Sequence, residues 1–386
     1  MMVTVSVGGR FHAFNLAYQL YRKNCLQALM TSYPKYGVSP YGIPNNFIRS
    51  FPAKEMLQRV WQKMPRIITR QVNSQLLLCD LYDRNVEGAI ADTDIVVAWA
   101  SFALHTMRAA KKRGAITILE CGSAHIEYQV SLLADEYERW GIERKIGECT
   151  HGGVIAKMLQ EYEAADYISI PSHFVRQTFI DKGIDENKLI HVPYGVDLRQ
   201  FHRAEKKDSV FRIVFAGGIC IRKGVHYLLQ AVSELKLQNC ELLLVGAVDS
   251  EMIPFLKKYE GSYRLVGRVP QAELCQYYSS ASVFTLPSVE DGFGMVIAQA
   301  MACGLPVIAS TNTGAADIVR DGIDGYIIPI RDVEAYKEKL QYLYDNQDVC
   351  RQMGENARQR VSEGFTWDDY GTKILRAYED AMNRRK

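Results

Sequence analysis

Two stretches of the chain repeat one order of apolar and polar positions. Residues 3–9, VTVSVGG, are a short β-branched run that ends in paired glycines, and the following FHAFNLAYQLYRK has apolar residues at helical spacing. The same order returns at residue 212, where RIVFAGG precedes a short loop and the amphipathic GVHYLLQAVSEL. A strand, a tight turn and a helix are therefore predicted twice, which indicates two α/β domains of related design.

Further apolar strands alternate with helical segments along the rest of the chain. DIVVAWA, AITILE, ELLLVG, YRLVGRV and ASVFTLP have the apolar runs of strands, and such runs between helices are typical of buried parallel strands. The polar stretch GVDLRQFHRAEKKD separates the two halves. We therefore expect a first domain at residues 1–197, a second at 198–366, and a last helix, 367–386, that packs back on the first.

Length and composition narrow the class of protein. At 386 residues the chain exceeds the size at which one hydrophobic core keeps growing, which favours two domains. A net charge of only +2 gives the whole molecule no attraction to nucleic acid. Nine dispersed cysteines without a C-x-x-C pair, a start without signal-peptide features and the lack of an apolar window of about 18 residues predict reduced thiols and a cytoplasmic compartment.

The most distinctive stretch is residues 288–304, SVEDGFGMVIAQAMACG, which follows the strand ASVFTLP. Gly292 and Gly294 let backbone amides approach a ligand at the start of a helix, where hydroxyl and phosphate oxygens bind. Asp291 can accept hydrogen bonds from sugar hydroxyls, and Gln299 lies one helical turn inside the helix. The alternative is an ordinary loop and a solvent-facing glutamine. Ligands of open parallel sheets bind at such turns, so the ligand is expected in the cleft between the domains.

Arg222 and Lys223 precede the predicted helix GVHYLLQAVSEL. Positive charge at a helix N-terminus opposes the helix dipole by roughly 0.3–1 kcal/mol. An anionic ligand would reverse that sign, and two cations beside Gly217 and Gly218 suit a diphosphate held without metal. The alternative is a pair of solvated surface cations.

Motifs for other chemistries are missing from the sequence or badly placed. G-x-G-x-x-G and G-x-x-x-x-G-K-[ST] do not follow either opening strand, so hydride transfer and P-loop chemistry lose support. Asp92 and Asp94 form a D-x-D, but they directly precede a buried strand and are better explained as a polar loop. The sequence therefore predicts neither a cofactor nor a bound metal.

Four segments together resemble one known family. They are residues 166–201, 217–231, 265–288 and 288–329, of which the last is the most specific. The family is that of the retaining family-four glycosyltransferases, or glycosyl transferases group 1, which have the GT-B fold of two Rossmann-like domains facing each other across a cleft. The resemblance implies transfer of a hexose-type sugar from a nucleotide diphosphate sugar to a saccharide or lipid-linked acceptor, with the anomeric configuration kept.

The resemblance also assigns site residues. The family's two carboxylates, with seven residues between them, fall on Asp291 and Gln299, and Glu290 could substitute for the shorter Asp291. His125, just after the strand AITILE, matches a histidine that the family places against the donor sugar, so the catalytic candidates are His125, Asp291 and Glu290. The leaving diphosphate would take the acceptor proton, so no dedicated base is expected. The donor-binding candidates are Gly9, Arg10, Gly217, Gly218, Arg222, Lys223, Val269, Gly292, Phe293, Gly294, Met295 and Gln299.

The first domain contains a basic, aromatic segment at residues 18–72. It has nine Lys or Arg residues against the single acid Glu55, and KEMLQRVWQKM within it is a basic amphipathic helix. Such a helix suits an anionic membrane surface, which is a candidate partner beside the donor and acceptor. The alternative is a solvated rim whose apolar side belongs to the core. The nine are Arg22, Lys23, Lys35, Arg49, Lys54, Arg59, Lys63, Arg66 and Arg70.

Three other interpretations stay open at this point. A sugar-nucleotide epimerase or hydrolase of the same fold would turn over the donor without an acceptor. A catalytically weak partner subunit is a second alternative, because Asp291 and Gln299 both depart from the family's glutamates. A two-lobed solute-binding protein is a third, although the thiols and the missing signal peptide weigh against it.

Overall fold

Two parallel β-sheets organise the chain, of which the computed structural model describes residues 1–64, 74–143 and 152–385. The strands are β1 (Val3–Val7), β2 (Leu26–Thr31), β3 (Ile48–Ser50), β4 (Ile95–Trp99), β5 (Ile116–Glu120), β6 (Tyr167–Ile170), β7 (Leu189–His191), β8 (Phe211–Ala216), β9 (Cys240–Val245), β10 (Arg264–Gly267), β11 (Val283–Leu286), β12 (Val307–Ser310) and β13 (Gly325–Ile328). The first sheet has the order β3-β2-β1-β4-β5-β6-β7 and the second β10-β9-β8-β11-β12-β13. This confirms the predicted α/β class with two Rossmann-like domains.

Helices connect the strands and cover the sheets. Because they do so, each residue of β4, β5 and β8 is buried, and these strands are mostly apolar. Within the described ranges, no helix has both the length and the apolarity to cross a bilayer. The helices are α1 (Ala13–Arg22), α2 (Lys35–Val38), α3 (Ala53–Gln62), α4 (Ser74–Glu87), α5 (Leu104–Lys112), α6 (Ile126–Arg139), α7 (Gly152–Ala164), α8 (His173–Ile180), α9 (Val225–Leu235), α10 (Ile253–Lys258), α11 (Leu274–Ser279), α12 (Met295–Ala302), α13 (Ala315–Ile318), α14 (Val333–Asp345), α15 (Gln347–Ser362) and α16 (Trp367–Arg384).

The last helix returns to the first sheet's side of the molecule. The predicted boundary after residue 197 lies in the connection between β7 and β8, and α16 follows the second sheet but packs on α1. Gln19 of α1 donates a hydrogen bond from Nε2 to Asp368 Oδ1 at 3.0 Å. A Cβ atom on Gly371 would lie 2.7 Å from the Gln19 side-chain oxygen, so a glycine is needed where the two helices meet.

Cys149 lies outside the described residues, and the following cysteines are free thiols: Cys25, Cys121, Cys220, Cys240, Cys275, Cys303 and Cys350. Burial raises the pKa of the Cys350 thiol to about 12 and also raises that of Cys240, to about 11. Thiols with pKa values raised in this way are protonated, and therefore unreactive, at neutral pH.

Helix α3 presents its apolar side to solvent. Met56 is 64% exposed, Val60 54% and Leu57 48%, and α4 packs against the helix. The interpretation of this apolar side as core is therefore wrong. The basic residues Arg59 and Lys63 are exposed on the same helix end, and Arg66 and Arg70 lie outside the described residues.

A buried carboxylate joins the two domains. Glu136, on α6, accepts hydrogen bonds from the Tyr227 hydroxyl at 2.7 Å and contacts His226 Nε2 at 3.0 Å, both on α9. Arg331 Nε of the second domain donates to its other oxygen at 2.6 Å. Burial by itself would raise the pKa of Glu136, but the hydrogen bonds from His226 and Tyr227 and the charge of Arg331 outweigh burial and lower it to about 2. An ionised Glu136 therefore holds α6 against α9.

We expect Glu136→Gln to lower the free energy of unfolding at neutral pH by about 3 kcal/mol, because it removes one charge of a buried pair. The folded pKa of Glu136 lies below 4.5, its ordinary value, so ionised Glu136 stabilises the fold above that pH. This stabilisation is lost as the pH falls from 4.5 to about 2. Denaturant unfolding across that pH range should show a smaller acid-induced loss in the variant than in the wild type.

The matched control is Glu138→Gln, two residues further along α6 and exposed. It should leave both the stability and its pH profile unchanged. A Glu136→Gln protein with the wild-type acid profile would contradict the assignment of Glu136 as the ionised link between the domains.

Candidate active site

The segment after β8 brings two cations to the start of a helix. A 3-10 turn, Ile221–Lys223, contains Arg222 and Lys223 and directly precedes α9. Gly224 ends the turn with φ +64°, and a Cβ atom there would lie 2.0 Å from the carbonyl oxygen of Pro287. The chain can therefore pass this close to the loop after β11 only with a glycine, and the approach places both cations beside that loop.

Each cation faces a carboxylate of the loop after β11. Lys223 Nζ contacts Asp291 Oδ2, and Arg222 Nη1 lies 3.1 Å from Glu290 Oε2. Burial would raise the pKa of Asp291, but the charges of Lys223 and Arg222 outweigh burial and hold it below its usual value. The Lys223 side chain is only 13% exposed, so it is not one of a pair of solvated surface cations.

Glu290 and Asp291 have different neighbours although they are adjacent in sequence. Glu290 is fully buried against the first domain, where its Oε1 accepts from the Ala124 amide at 3.2 Å and its Oε2 from Gln129 Nε2 at 2.8 Å. Asp291 contacts Lys223 within the second domain. The two carboxylates therefore have different roles. Glu290 links the two domains, and Asp291 neutralises the charge of Lys223.

The glycine loop before α12 presses against the first domain. A Cβ atom on Gly292 would lie 2.0 Å from the carbonyl oxygen of Gly122, and Ser172 Oγ donates to the Gly292 carbonyl at 2.5 Å. Phe293 is buried, and its ring packs on that of Tyr194 with 5.0 Å between centroids. The loop predicted to bind ligand is thus also a close contact between the domains.

A cavity of about 730 Å³ lies between the domains and brings three predicted donor-site residues together. Arg10, from the turn after β1, lines it with Met295 and Gln299 of α12. Arg10 Nε donates to the Tyr41 hydroxyl at 2.8 Å, and its Nη2 reaches across to Gln271 Oε1 at 3.5 Å. Sequence reasoning did not find Gln271, for which the only signal is its place within the family-like segment 265–288.

Gln299 is held in place by a buried tyrosine that sequence reasoning also missed. The Tyr278 hydroxyl of α11 donates to Gln299 Oε1 at 3.4 Å, and the Tyr278 ring packs against Phe201 and Phe284. Gln299 is itself buried, so the solvent-facing alternative is wrong. A tyrosine among apolar helix residues has the pattern of an ordinary core position, and no sequence signal separates it from one.

His125 lies apart from the cavity. It is 3% exposed, and its ring lies between Tyr162 and Phe179, at 4.9 and 5.1 Å between centroids. Its Nδ1 accepts from the Glu127 amide at 3.3 Å and so caps α6. Burial lowers the pKa of His125 to about 4, so the ring is neutral at neutral pH. The other predicted residues that do not border this cavity are Gly9, Gly217, Gly218, Arg222, Lys223, Val269, Glu290, Asp291, Gly292, Phe293 and Gly294.

Comparison with known proteins finds a match to one family model and a likeness to one fold. Residues 197–360 match the family model of the glycosyl transferases group 1. An uncharacterized glycosyltransferase of Methanocaldococcus jannaschii is 30% identical over 206 residues, which are 52% of this chain and 57% of that protein. The capsular polysaccharide biosynthesis glycosyltransferase CapM of Staphylococcus aureus is 28% identical over 53% of this chain and 58% of its own length. The matched part thus spans little more than half the length of these relatives.

Solved structures match over the whole chain. Sucrose-phosphate synthase from Thermosynechococcus elongatus superposes with a TM-score of 0.72, covering 100% of both chains at 17% identity. Anabaena HepE in complex with UDP-glucose gives a TM-score of 0.72 over 98% of this chain and 100% of HepE, at 13% identity. At such identities these matches show the fold, which is GT-B.

We expect Gly292→Ala to lower the free energy of unfolding by about 1–3 kcal/mol, because its methyl group would overlap the Gly122 carbonyl and force the domains apart. Gly218→Ala is the matched control, since a Cβ atom there meets nothing within 4 Å. Thermal unfolding of the two variants beside the wild type checks the prediction. Equal midpoints for both variants would show that the contact at Gly292 is not a close one.

Proposed function

We propose that this protein, whose residues 197–360 form a glycosyl transferases group 1 domain in a GT-B fold, is a retaining hexosyltransferase. It would move a sugar from a nucleotide diphosphate to a saccharide or lipid-linked acceptor without a metal. The observation that carries the proposal is the pairing of Arg222 and Lys223, at the start of α9, with Glu290 and Asp291. Two partly buried cations beside a glycine turn and a helix N-terminus form a site for a dianion.

In this proposal the diphosphate of the donor binds Arg222 and Lys223. As it enters, its oxygens replace the carboxylate oxygens of Glu290 and Asp291 beside Arg222 and Lys223. Asp291 then accepts hydrogen bonds from the donor sugar, and the cations neutralise the charge that develops on the leaving diphosphate. The leaving group takes the acceptor proton on the same face, which keeps the anomeric configuration and needs no dedicated base.

The remaining predicted residues hold the donor and the cleft. Gln299 and Met295 line the cavity beside Arg10, and we assign this cavity between the domains to the nucleoside of the donor. His125 is a positioning residue, because it caps the helix that carries Gln129 to Glu290. The Anabaena HepE structure holds UDP-glucose, which makes UDP-sugars the first donors to test.

We expect Lys223→Ala to weaken binding of the donor roughly tenfold to a hundredfold, because a charge-assisted hydrogen bond to a buried anion is worth about 1.5–3 kcal/mol. Titration calorimetry with UDP-, GDP-, ADP- and dTDP-sugars, with and without a chelator, checks this. Lys236→Ala is the matched control, since Lys236 is exposed just beyond the other end of α9.

Product analysis separates the proposal from its alternatives. Sugar transferred to an acceptor supports it, whereas full-rate turnover of donor alone would identify an epimerase or hydrolase. Donor binding without turnover would indicate a weak partner subunit, which the departures at Asp291 and Gln299 keep open. Strict dependence of binding on a metal would overturn the role given to Arg222 and Lys223.

We further propose that α3 brings the protein to an anionic membrane surface, where a lipid-linked acceptor is presented. The exposed Met56, Leu57 and Val60 would enter the headgroup region, and Arg59 and Lys63 would face anionic lipid. A basic helix with an uncovered apolar side is the observation that supports this.

We expect Leu57→Glu to weaken binding to vesicles containing anionic lipid by about tenfold or more, since it removes roughly 1.5–3 kcal/mol of apolar burial and adds a like charge. Co-sedimentation with anionic and with neutral vesicles measures the effect. Ile323→Glu, at a residue of similar exposure in the second domain, should bind as the wild type does. A wild-type protein that does not co-sediment with anionic vesicles would contradict the proposed membrane binding.

A further inference from the structure

Two histidines of the first domain and one aspartate of the second meet at the domain interface. His173 begins α8, His191 ends β7, and Asp317 lies in α13. Asp317 Oδ1 is 2.7 Å from His173 Nδ1 and 2.8 Å from His191 Nε2. Two imidazole nitrogens thus approach a single carboxylate oxygen from one side of the interface.

One of these nitrogens is not accounted for by hydrogen bonding. His191 Nε2 is buried and makes no hydrogen bond to any described residue, although Asp317 Oδ1 lies 2.8 Å away. Its direction is therefore unsuited to that oxygen. The Asp317 side chain is 1% exposed and that of His173 is 65% exposed, so the cluster has one open side. A buried imidazole nitrogen that lacks a hydrogen bond beside a carboxylate needs an explanation.

A second cluster of ligand-type side chains in the described chain has its negative charge neutralised by a lysine. Asp80, Asp83 and His105 also bring ligand-type atoms together. There the ammonium group of Lys157 lies 2.6 Å from Asp80 Oδ1 and 2.9 Å from Asp83 Oδ2, so the chain supplies its own cation. No Lys or Arg side chain among the described residues has an ion pair with Asp317.

We propose that His173, His191 and Asp317 form a zinc site that bridges the two domains. Two imidazoles and a carboxylate are three ligands that zinc accepts, and a water on the open His173 side completes four. Bonds of about 2.0–2.1 Å at tetrahedral angles set ligand atoms roughly 3.3 Å apart, so the nitrogens need to move about half an ångström from Asp317. The orphaned His191 nitrogen then acquires its partner.

The site adjoins the loop that carries Asp291. Ser172, the residue before His173, donates to the Gly292 carbonyl, and Gly314, just before α13, packs against Phe293. A cation joining α8 to α13 would therefore cross-link the domains at the same contact. Its ligands are separate from Arg222 and Lys223, so zinc binds without a sugar nucleotide present.

The test is a zinc titration of the full chain after stripping with a chelator, read by competition with a chromophoric chelator and without any sugar nucleotide. We expect one zinc per chain and a higher thermal midpoint when it is bound. His173→Ala and His191→Ala should each weaken binding by at least the roughly tenfold to hundredfold that loss of an outer-shell partner causes. His173 is largely exposed, so its replacement leaves the fold intact.

His105→Ala is the matched control, because the His105 side chain is 18% exposed and that of His191 is 19%. It should leave the zinc affinity unchanged. Asp317→Asn, which keeps an oxygen for the His173 amide, should weaken zinc while circular dichroism reports a folded protein. Absence of zinc binding by the wild type, or equal binding by wild type and His173→Ala, would overturn the proposal. A wild-type protein that binds zinc but no sugar nucleotide would instead count against the transferase function alone.

Discussion

The loop between β11 and α12 depends on a balance of charge between two cations and two adjacent carboxylates. Arg222 and Lys223 stand where a helix dipole disfavours them, and Glu290 and Asp291 compensate. The four formal charges cancel, so a dianion can bind Arg222 and Lys223 only if it displaces Glu290 and Asp291 from them. Because Glu290 also accepts a hydrogen bond from Ala124 of the first domain, displacing it loosens the contact between the domains. Charge at the site and the spacing of the domains are therefore coupled through one side chain.

The sequence predicts the central strands and the turns after them, and it does so for a physical reason. Strands such as β4 and β8 bury both faces, so their residues are mostly apolar and the strands end at glycine or polar turns. The edge strands β3 and β7 have three residues each and are partly exposed, which leaves no periodicity to detect. The order of strands within each sheet likewise requires the structure.

The candidate site divides in the same way. Glycine turns and cations before a helix are local features, and the sequence contains them. The first-domain partners of Glu290 are 166 and 161 residues away in the chain, at Ala124 and Gln129, and no local pattern encodes that distance. Periodicity also cannot separate a helix that faces the core from one with an uncovered apolar side, because the spacing of apolar residues is the same. For α3 only the packing of its neighbours decides.

Tyr278 decides which way the Gln299 amide is presented. A phenol that donates to Oε1 leaves the two N–H groups of Nε2 as the part of the amide able to engage a ligand. A glutamate at position 299 would accept hydrogen bonds from ligand hydroxyl groups, whereas Gln299 donates hydrogen bonds from Nε2 to ligand acceptors. Tyr278, which lies behind the cavity wall, thus makes Gln299 a hydrogen-bond donor toward the cavity. Ligands that offer only hydrogen-bond donors to Gln299 are disfavoured.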